Sequence, residues 1–229
     1  MSADFTIVFA LFPNLTQLDF TGPYEVLRRL PGARTIVASR LGGELTADGG
    51  LCFAQLRRLS EIAACDLLCI PGGSNVASAM ADGEYMAEVR RLGASARYVT
   101  SVCTGSLILA AAGFLHGKRA ACHWAYRDLL AGAGALPDPG RVVRDGSVIS
   151  GGGVTAGIDF ALTVVAEVAG AEVAQAIQLM IEYAPEPPFS AGRPETAPAS
   201  VLELVKQQSS RLWEERRTAL ARALRAGAA

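Results

Sequence analysis

The sequence has little with which to build a metal site or a disulfide framework. It contains two histidines, and its five cysteines include no C-x-x-C pair. An odd number of cysteines without that spacing points to free thiols in a reducing cytoplasm. Two histidines far from any paired cysteines leave no zinc site. Charged residues make up only 19% of the chain, and 21 basic residues stand against 22 acidic ones, for a net charge of -1. That balance excludes a broad basic face for nucleic acid or an anionic membrane. No apolar run approaches the roughly 18 residues of a membrane-spanning helix. Asp4, ahead of the first apolar run, argues against a secretory leader. There is no G-x-G-x-x-G fingerprint and no Walker lysine, so a nucleotide phosphate cradle has no support.

What the chain does have is apolar mass in short pieces. Its 229 residues, 51% of them hydrophobic, suffice for one α/β domain with a large core. Phe5 to Leu11 is a nearly continuous apolar run, as expected of an inner parallel strand. Arg34 to Arg40, Asp66 to Ile70 and Arg97 to Val102 read as further strands. Helices are expected from Pro23 to about Leu30, from near Ser74, and over Glu84 to Ala96. Others are expected over Thr104 to Ala112, from Trp124 through Leu130, over Phe160 to Ala169 and over Ala171 to Ile181. Leu59 to Ala64 reads as a short helix, Gly42 to Ala54 as a glycine-rich excursion or hairpin, and Val142 to Ile149 as a hairpin on Asp145-Gly146. Strands alternating with helices predict a doubly wound, mostly parallel sheet.

Composition shifts near the end. Five of the eleven prolines lie between Ala184 and Ser200, which predicts an extended connector. Ser200-Val-Leu-Glu203 has capping-box spacing and opens a final helix, with Val201, Val205, Leu212, Ala219 and Ala223 on one stripe. That stripe packs either on its own domain or on a second subunit, and the helix's charges read as a solvated face. A DNA-binding extension would need a second helix and a turn. The expected organisation is a domain over 1–184, a connector over 185–200 and a terminal helix over 201–229.

The rest is organised around Tyr98-Val-Thr-Ser-Val-Cys103-Thr-Gly-Ser-Leu-Ile-Leu-Ala-Ala-Ala-Gly113. A strand turning directly into a helix at Cys103 needs small neighbours, and Ser101 and Gly105 supply them. Small-x-Cys-x-Gly is the thiol analogue of the G-x-S-x-G nucleophile elbow. Free N–H groups at a helix start favour a thiolate, so a lowered thiol pKa is expected. The plain alternative, a core cysteine, suits Cys52, Cys65, Cys69 and Cys122; the elbow spacing favours the nucleophile for Cys103. Asp19 is expected in the loop before the first helix, either as a catalytic carboxylate or as a local cap with Thr16. Pro71-Gly72-Gly73 ends a strand where open α/β sheets bind ligands; it is either an ordinary tight turn or, with the Thr104 amide, a donor set for developing charge. Asp19 and His123 are the candidates for proton transfer near the sulfur.

Four segments carry a resemblance: Leu18-Asp19-Phe-Thr-Gly-Pro23, Ile70-Pro-Gly-Gly73, Ser101-Val-Cys103-Thr-Gly105 and Ser150-Gly-Gly-Gly-Val-Thr-Ala-Gly-Ile-Asp159. Over about Phe5 to Ala184 the chain resembles the DJ-1/PfpI superfamily, and within it the isonitrile hydratases. Tyr183-Ala-Pro-Glu-Pro-Pro-Phe189 and the terminal helix extend the similarity. The resemblance implies a flavodoxin-like homodimer without metal or organic cofactor, acting on a small isocyanide. It implies Cys103 as nucleophile, Asp19 as acid/base and Thr104 as the neighbour that orients polar groups. His123 matches a histidine of DJ-1-like members. The protease-like branch has histidine after the cysteine, where this chain has Thr104. The chaperone and deglycase-like branch has glutamate at the acid position, where this chain has Asp19. Two other outcomes stay open at this level: a redox sensor through Cys103 oxidation, and a ligand-binding regulator without its DNA-binding domain.

Overall fold

The computed structural model describes residues 5–227; Asp4, weighed above, and the last two residues lie outside them. The chain runs β1 (Phe5–Leu11), α1 (Gln17–Leu27), β2 (Ala33–Ser39), β3 (Gly43–Thr46), β4 (Cys52–Arg58), β5 (Leu67–Ile70), α2 (Val76–Ala81) and α3 (Gly83–Ser95). It continues with β6 (Tyr98–Val102), α4 (Gly105–Ala111), β7 (Arg119–Ala120), β8 (Leu136–Pro137), β9 (Val142–Asp145), β10 (Val148–Gly151), α5 (Ala156–Ala169), α6 (Ala171–Met180) and α7 (Ala199–Gly227).

The main sheet has the order β3-β4-β2-β1-β5-β6-β10-β9. The inner strands β2-β1-β5-β6-β10 are parallel, and β3 and β9 pair antiparallel at the edges. Counting only those inner strands in chain order gives 2-1-3-4-5, the flavodoxin-like winding, whose switch point falls between β1 and β5. Burial explains why these runs are strands. Ile7 to Leu11 of β1 and Leu67 to Ile70 of β5 are wholly inaccessible, which alternation could not achieve in a one-sided sheet. The helices α1 and α5 pack together on one side of the sheet, while α2, α4 and α7 form a second group. Each fully buried large side chain, Phe9 and Phe160 among them, contributes about 1.5–3 kcal/mol.

Several boundaries differ from expectation, each for a physical reason. The first helix starts at Gln17 rather than Pro23, so Asp19 lies in its first turn. Proline inside a helix is costly, but Gly22 and Pro23 press against Ile158 and Gly157 of α5, and that packing wins. No capping box forms there: Thr16 Oγ1 donates to Asp48 Oδ2 at 2.8 Å and gives α1 no side-chain cap. The short helix expected over Leu59 to Ala64 is a single 3₁₀ turn, Leu59–Glu61. The helix expected after Trp124 is a 3₁₀ segment, Arg127–Ala133, closed by left-handed Gly134. Helix α7 begins at Ala199, so Ser200 is not its cap, and Val201 is 43% exposed instead of leading the apolar stripe. Along this chain α7 lies on α2, α4 and the 3₁₀ segment.

Candidate active site

Three carboxyl-end turns of the sheet meet at the switch point. They follow β1, β5 and β6, and they bring Asp19, Gly72, Gly73, Cys103 and Thr104 together. Cys103 occupies the junction between β6 and α4 with φ of 58°, the left-handed region. For a non-glycine residue this costs on the order of 1–3 kcal/mol and persists only where the surroundings impose it. They do: the Cys103 amide donates to the carbonyls of Gly151 and Gly152 at 3.1 and 2.8 Å. Gly105 is required for the same bend, since a Cβ there would stand 2.2 Å from the Ile70 carbonyl oxygen.

Asp19 is wholly buried. Its Oδ2 accepts the Gly72 amide at 3.0 Å, while Oδ1 has no partner among the described residues. Burial raises its pKa to about 7, against the lowering effects of the Cys103 thiol and the Gly72 amide. A carboxyl that is half protonated near neutrality, with one oxygen free, can hand over a proton and take one back.

Cys103 does not follow the expectation of a lowered pKa. Burial, then the Asp19 charge, push its thiol well above the ordinary value, and the Thr104 amide is the donor that opposes them. The helix behind it has seven residues, and one amide at its start does not offset desolvation. Burial thus favours the protonated thiol over the thiolate.

Thr104 is buried and fixed, its Oγ1 accepting from the Gly73 amide at 3.0 Å. The Gly72 and Gly73 amides, read above as donors to substrate, therefore each have an acceptor within the protein: Asp19 for one and Thr104 for the other. Their part is to position those two side chains. Nothing larger than glycine fits at 72, where a Cβ would lie 2.6 Å from the Thr104 nitrogen and 2.7 Å from Asp19 Oδ2.

His123 lies to one side. Its Nδ1 accepts the Ala125 amide at 3.3 Å, and its ring lies against Trp124 and Tyr126. Burial and the Arg216 charge lower its pKa to about 4, so it is neutral and presents Nε2–H. It lines a cleft of about 810 Å³ together with Cys122, Gly152 and Gly153, under the connector at residues 192–196. Gly152 is also the residue whose carbonyl holds the Cys103 amide, so this cleft adjoins the elbow, although Cys103, Thr104 and Asp19 do not line it. Another cleft, of about 830 Å³ between α2, α3 and α7, contains none of these residues.

Two features were not read from the sequence. One is a chain of hydroxyls: Ser101 with Ser106 at 2.9 Å, Ser106 to the Ala121 carbonyl at 2.6 Å, and the Ala121 amide to Ser150 at 2.8 Å. It ties the segment before Cys122 to α4 and β10. The other is Arg216 of α7, which is 3% exposed although its helix was expected to present its charges to solvent. Its signal was available: Arg216 lies four residues after Leu212 and three before Ala219, on the apolar stripe itself. Among the described residues no group of histidine, cysteine or acidic side chains could hold a metal ion. No helix among them is long and apolar enough to cross a membrane.

A cysteine in a strained strand-to-helix turn, set beside a buried acid at the switch point of a flavodoxin-like sheet, defines a class of α/β proteins. Residues 5–167 match the model of the DJ-1/PfpI family, and the chain belongs to that family. It is 48% identical over 204 residues to an isonitrile hydratase of Pseudomonas putida, covering 89% of this chain and 90% of that protein. A solved THiJ/PfpI family protein from Pseudomonas syringae has the same fold, with a TM-score of 0.93, 39% identity, and coverage of 95% of this chain and 91% of that one. The crystal structure of Drosophila melanogaster DJ-1beta is similar in fold alone, with a TM-score of 0.70 at 23% identity over 80% of this chain and all of that one.

Proposed function

We propose that this protein is an enzyme that hydrates organic isocyanides to N-substituted formamides, with Cys103 as nucleophile and Asp19 as proton shuttle. The observation that carries the reaction is the 48% identity to an isonitrile hydratase across nearly the full length of both chains. What supports the residue roles is the protonatable, half-unpartnered Asp19 coupled to the Cys103 thiol.

The chemistry follows from the two resting states. The terminal carbon of R–N≡C accepts the Asp19 proton as the Cys103 sulfur bonds to it. The S–H bond breaks in the same step and its proton passes to Asp19, which is again a carboxylic acid. The product is a thioimidate, R–N=CH–S–Cys103. Water then adds to that carbon, with Asp19 moving its proton to nitrogen. The C–S bond breaks, the sulfur recovers a proton, and R–NH–CHO leaves. A thiol of raised pKa suits this sequence, because sulfur and acid exchange one proton and no separated charge has to be buried.

The cleft beside His123, Gly152 and Gly153 is the route proposed for substrate. A homodimer belongs to the same reading, and exposed Leu179, Met180 and Phe189 offer it apolar surface. A cytoplasmic location is supported by five cysteines that are all free. The sensor alternative is weakened by the thiol's raised pKa, since oxidation by peroxide follows thiolate character. Incubation with cyclohexyl isocyanide tests the activity. Formamide from the native protein and none from Cys103→Ala is expected, and no formamide from either would refute it.

A further inference from the structure

Among the described residues, Asp19 and Arg216 are the only charged side chains that are fully buried. They attach to consecutive glycines. Gly72 gives its amide to Asp19, and the Gly73 carbonyl accepts Arg216 Nη2 at 2.9 Å. The Gly73 amide also holds Thr104. The Gly72 carbonyl also accepts the Thr16 amide at 3.0 Å, and the Gly73 carbonyl accepts Thr104 Oγ1 at 3.3 Å, so the turn after β5 is held from several sides, one tie coming from a residue 143 positions away.

The Arg216 guanidinium lies 3.8 Å from the centre of the Tyr126 ring, and Tyr126 lies against His123. Its Nε and Nη1 have no partner, and no carboxylate pairs with it among the described residues. A buried cation with two unpartnered nitrogens is destabilising in itself; an apolar side chain of the same length would be cheaper for the fold. A group kept against stability beside a reactive centre calls for a functional reason.

We propose that Arg216 is a positioning residue for the Asp19–Cys103 pair, acting by clamping the Gly72–Gly73 turn together with Thr104. Helix α7 is then part of the active site: it carries the clamp on its apolar stripe, and Tyr126 sets the plane in which the guanidinium lies. Without the clamp the turn relaxes, the Gly72 amide withdraws from Asp19 Oδ2, and the ionised carboxyl loses its one backbone donor. Arg216 touches neither thiol nor carboxyl, so its effect is felt in how Asp19 titrates and in kcat.

The test compares Arg216→Met with Arg216→Lys, each first checked for folding by thermal melting. The rate of Cys103 alkylation by iodoacetamide is followed against pH by peptide mass spectrometry. In the native protein this profile is expected to carry an inflection near pH 7, from Asp19. Arg216→Met is expected to move the inflection up by about one pH unit and to lower kcat for isocyanide about tenfold with little change in KM, while melting no lower than the native protein. Arg216→Lys keeps a donor for Gly73 and is expected to bring the inflection back to within a few tenths of a unit. A native profile in Arg216→Met, or equal impairment in both variants, overturns the proposal. Should Arg216→Met fail to fold, Tyr126→Leu must shift the inflection in the same direction, and an unmoved inflection there overturns it equally. The kcat arm rests on the hydratase reading; the alkylation arm needs no isocyanide and holds or fails independently.

Discussion

The Gly72 amide and Asp19 Oδ2 meet at 3.0 Å, and the other carboxyl oxygen of Asp19 is left without a partner. This one bond divides the carboxyl's labour. Oδ2 accepts from the backbone, which leaves Oδ1 as the oxygen free to carry the proton. Asp19→Asn keeps the shape and removes the proposed proton shuttle. Turnover of cyclohexyl isocyanide should fall by roughly 10²–10⁴-fold, with circular dichroism and melting showing an intact fold.

Stability should report the same carboxyl. Asp19 has a folded pKa of about 7, against about 3.9 when unfolded. Between those values the folded state binds more protons than the unfolded one, so raising the pH destabilises the fold. The loss begins near pH 4, is complete just above pH 7, and amounts to about 4 kcal/mol for a shift of that size. His123, held neutral with a pKa of about 4, works in the opposite direction over pH 4 to 6.5 and masks part of the slope. The difference in urea midpoint between Asp19→Asn and the native protein isolates the Asp19 part. It should grow in favour of the variant from pH 4 to 7.5.

The pH dependence of catalysis has its own sign. In the proposed mechanism the proton donor is the acid form of Asp19, so kcat/KM should be level below neutrality and decline above about pH 7. His123 is neutral over that whole range and contributes no limb. His123→Gln should therefore shift neither the position nor the steepness of the decline, measured as formamide release across pH 5.5 to 9.

Much of this was legible in residue order. Phe5 to Leu11 is nearly all apolar and Leu67 to Ile70 wholly so, without alternation, a pattern that suits an inner parallel strand in so short a run. The small residues at Ser101 and Gly105 announced a bend at Cys103. What could not be read was anything decided by packing from a distance. Pro23 looks like a helix start until Gly157 and Ile158 of α5 press on Pro23 and Gly22, and this moved Asp19 from a loop into a first turn. Cys103 looks like an activated thiolate until its burial is known. Arg216 looks like one more surface charge unless its place on the apolar stripe is noticed, and its partner Gly73 is 143 residues earlier in the chain.

Close approach of backbones makes Gly72 a sensitive probe. A methyl group there would meet Thr104 and Asp19 at 2.6–2.7 Å and displace both. Gly72→Ala should abolish measurable turnover while costing about 1–3 kcal/mol of stability. Gly83→Ala, at the start of α3 with open space around it, should leave both unchanged within about 0.5 kcal/mol.

The measurement that bears most directly on the account is a single turnover with cyclohexyl isocyanide, followed by intact mass and by formamide release, on the native protein, Cys103→Ala and Asp19→Asn. The account predicts a transient mass gain of one isocyanide on native Cys103 that decays as formamide appears, no adduct and no product with Cys103→Ala, and an adduct that barely forms with Asp19→Asn. Formamide produced by Cys103→Ala at the native rate would contradict it.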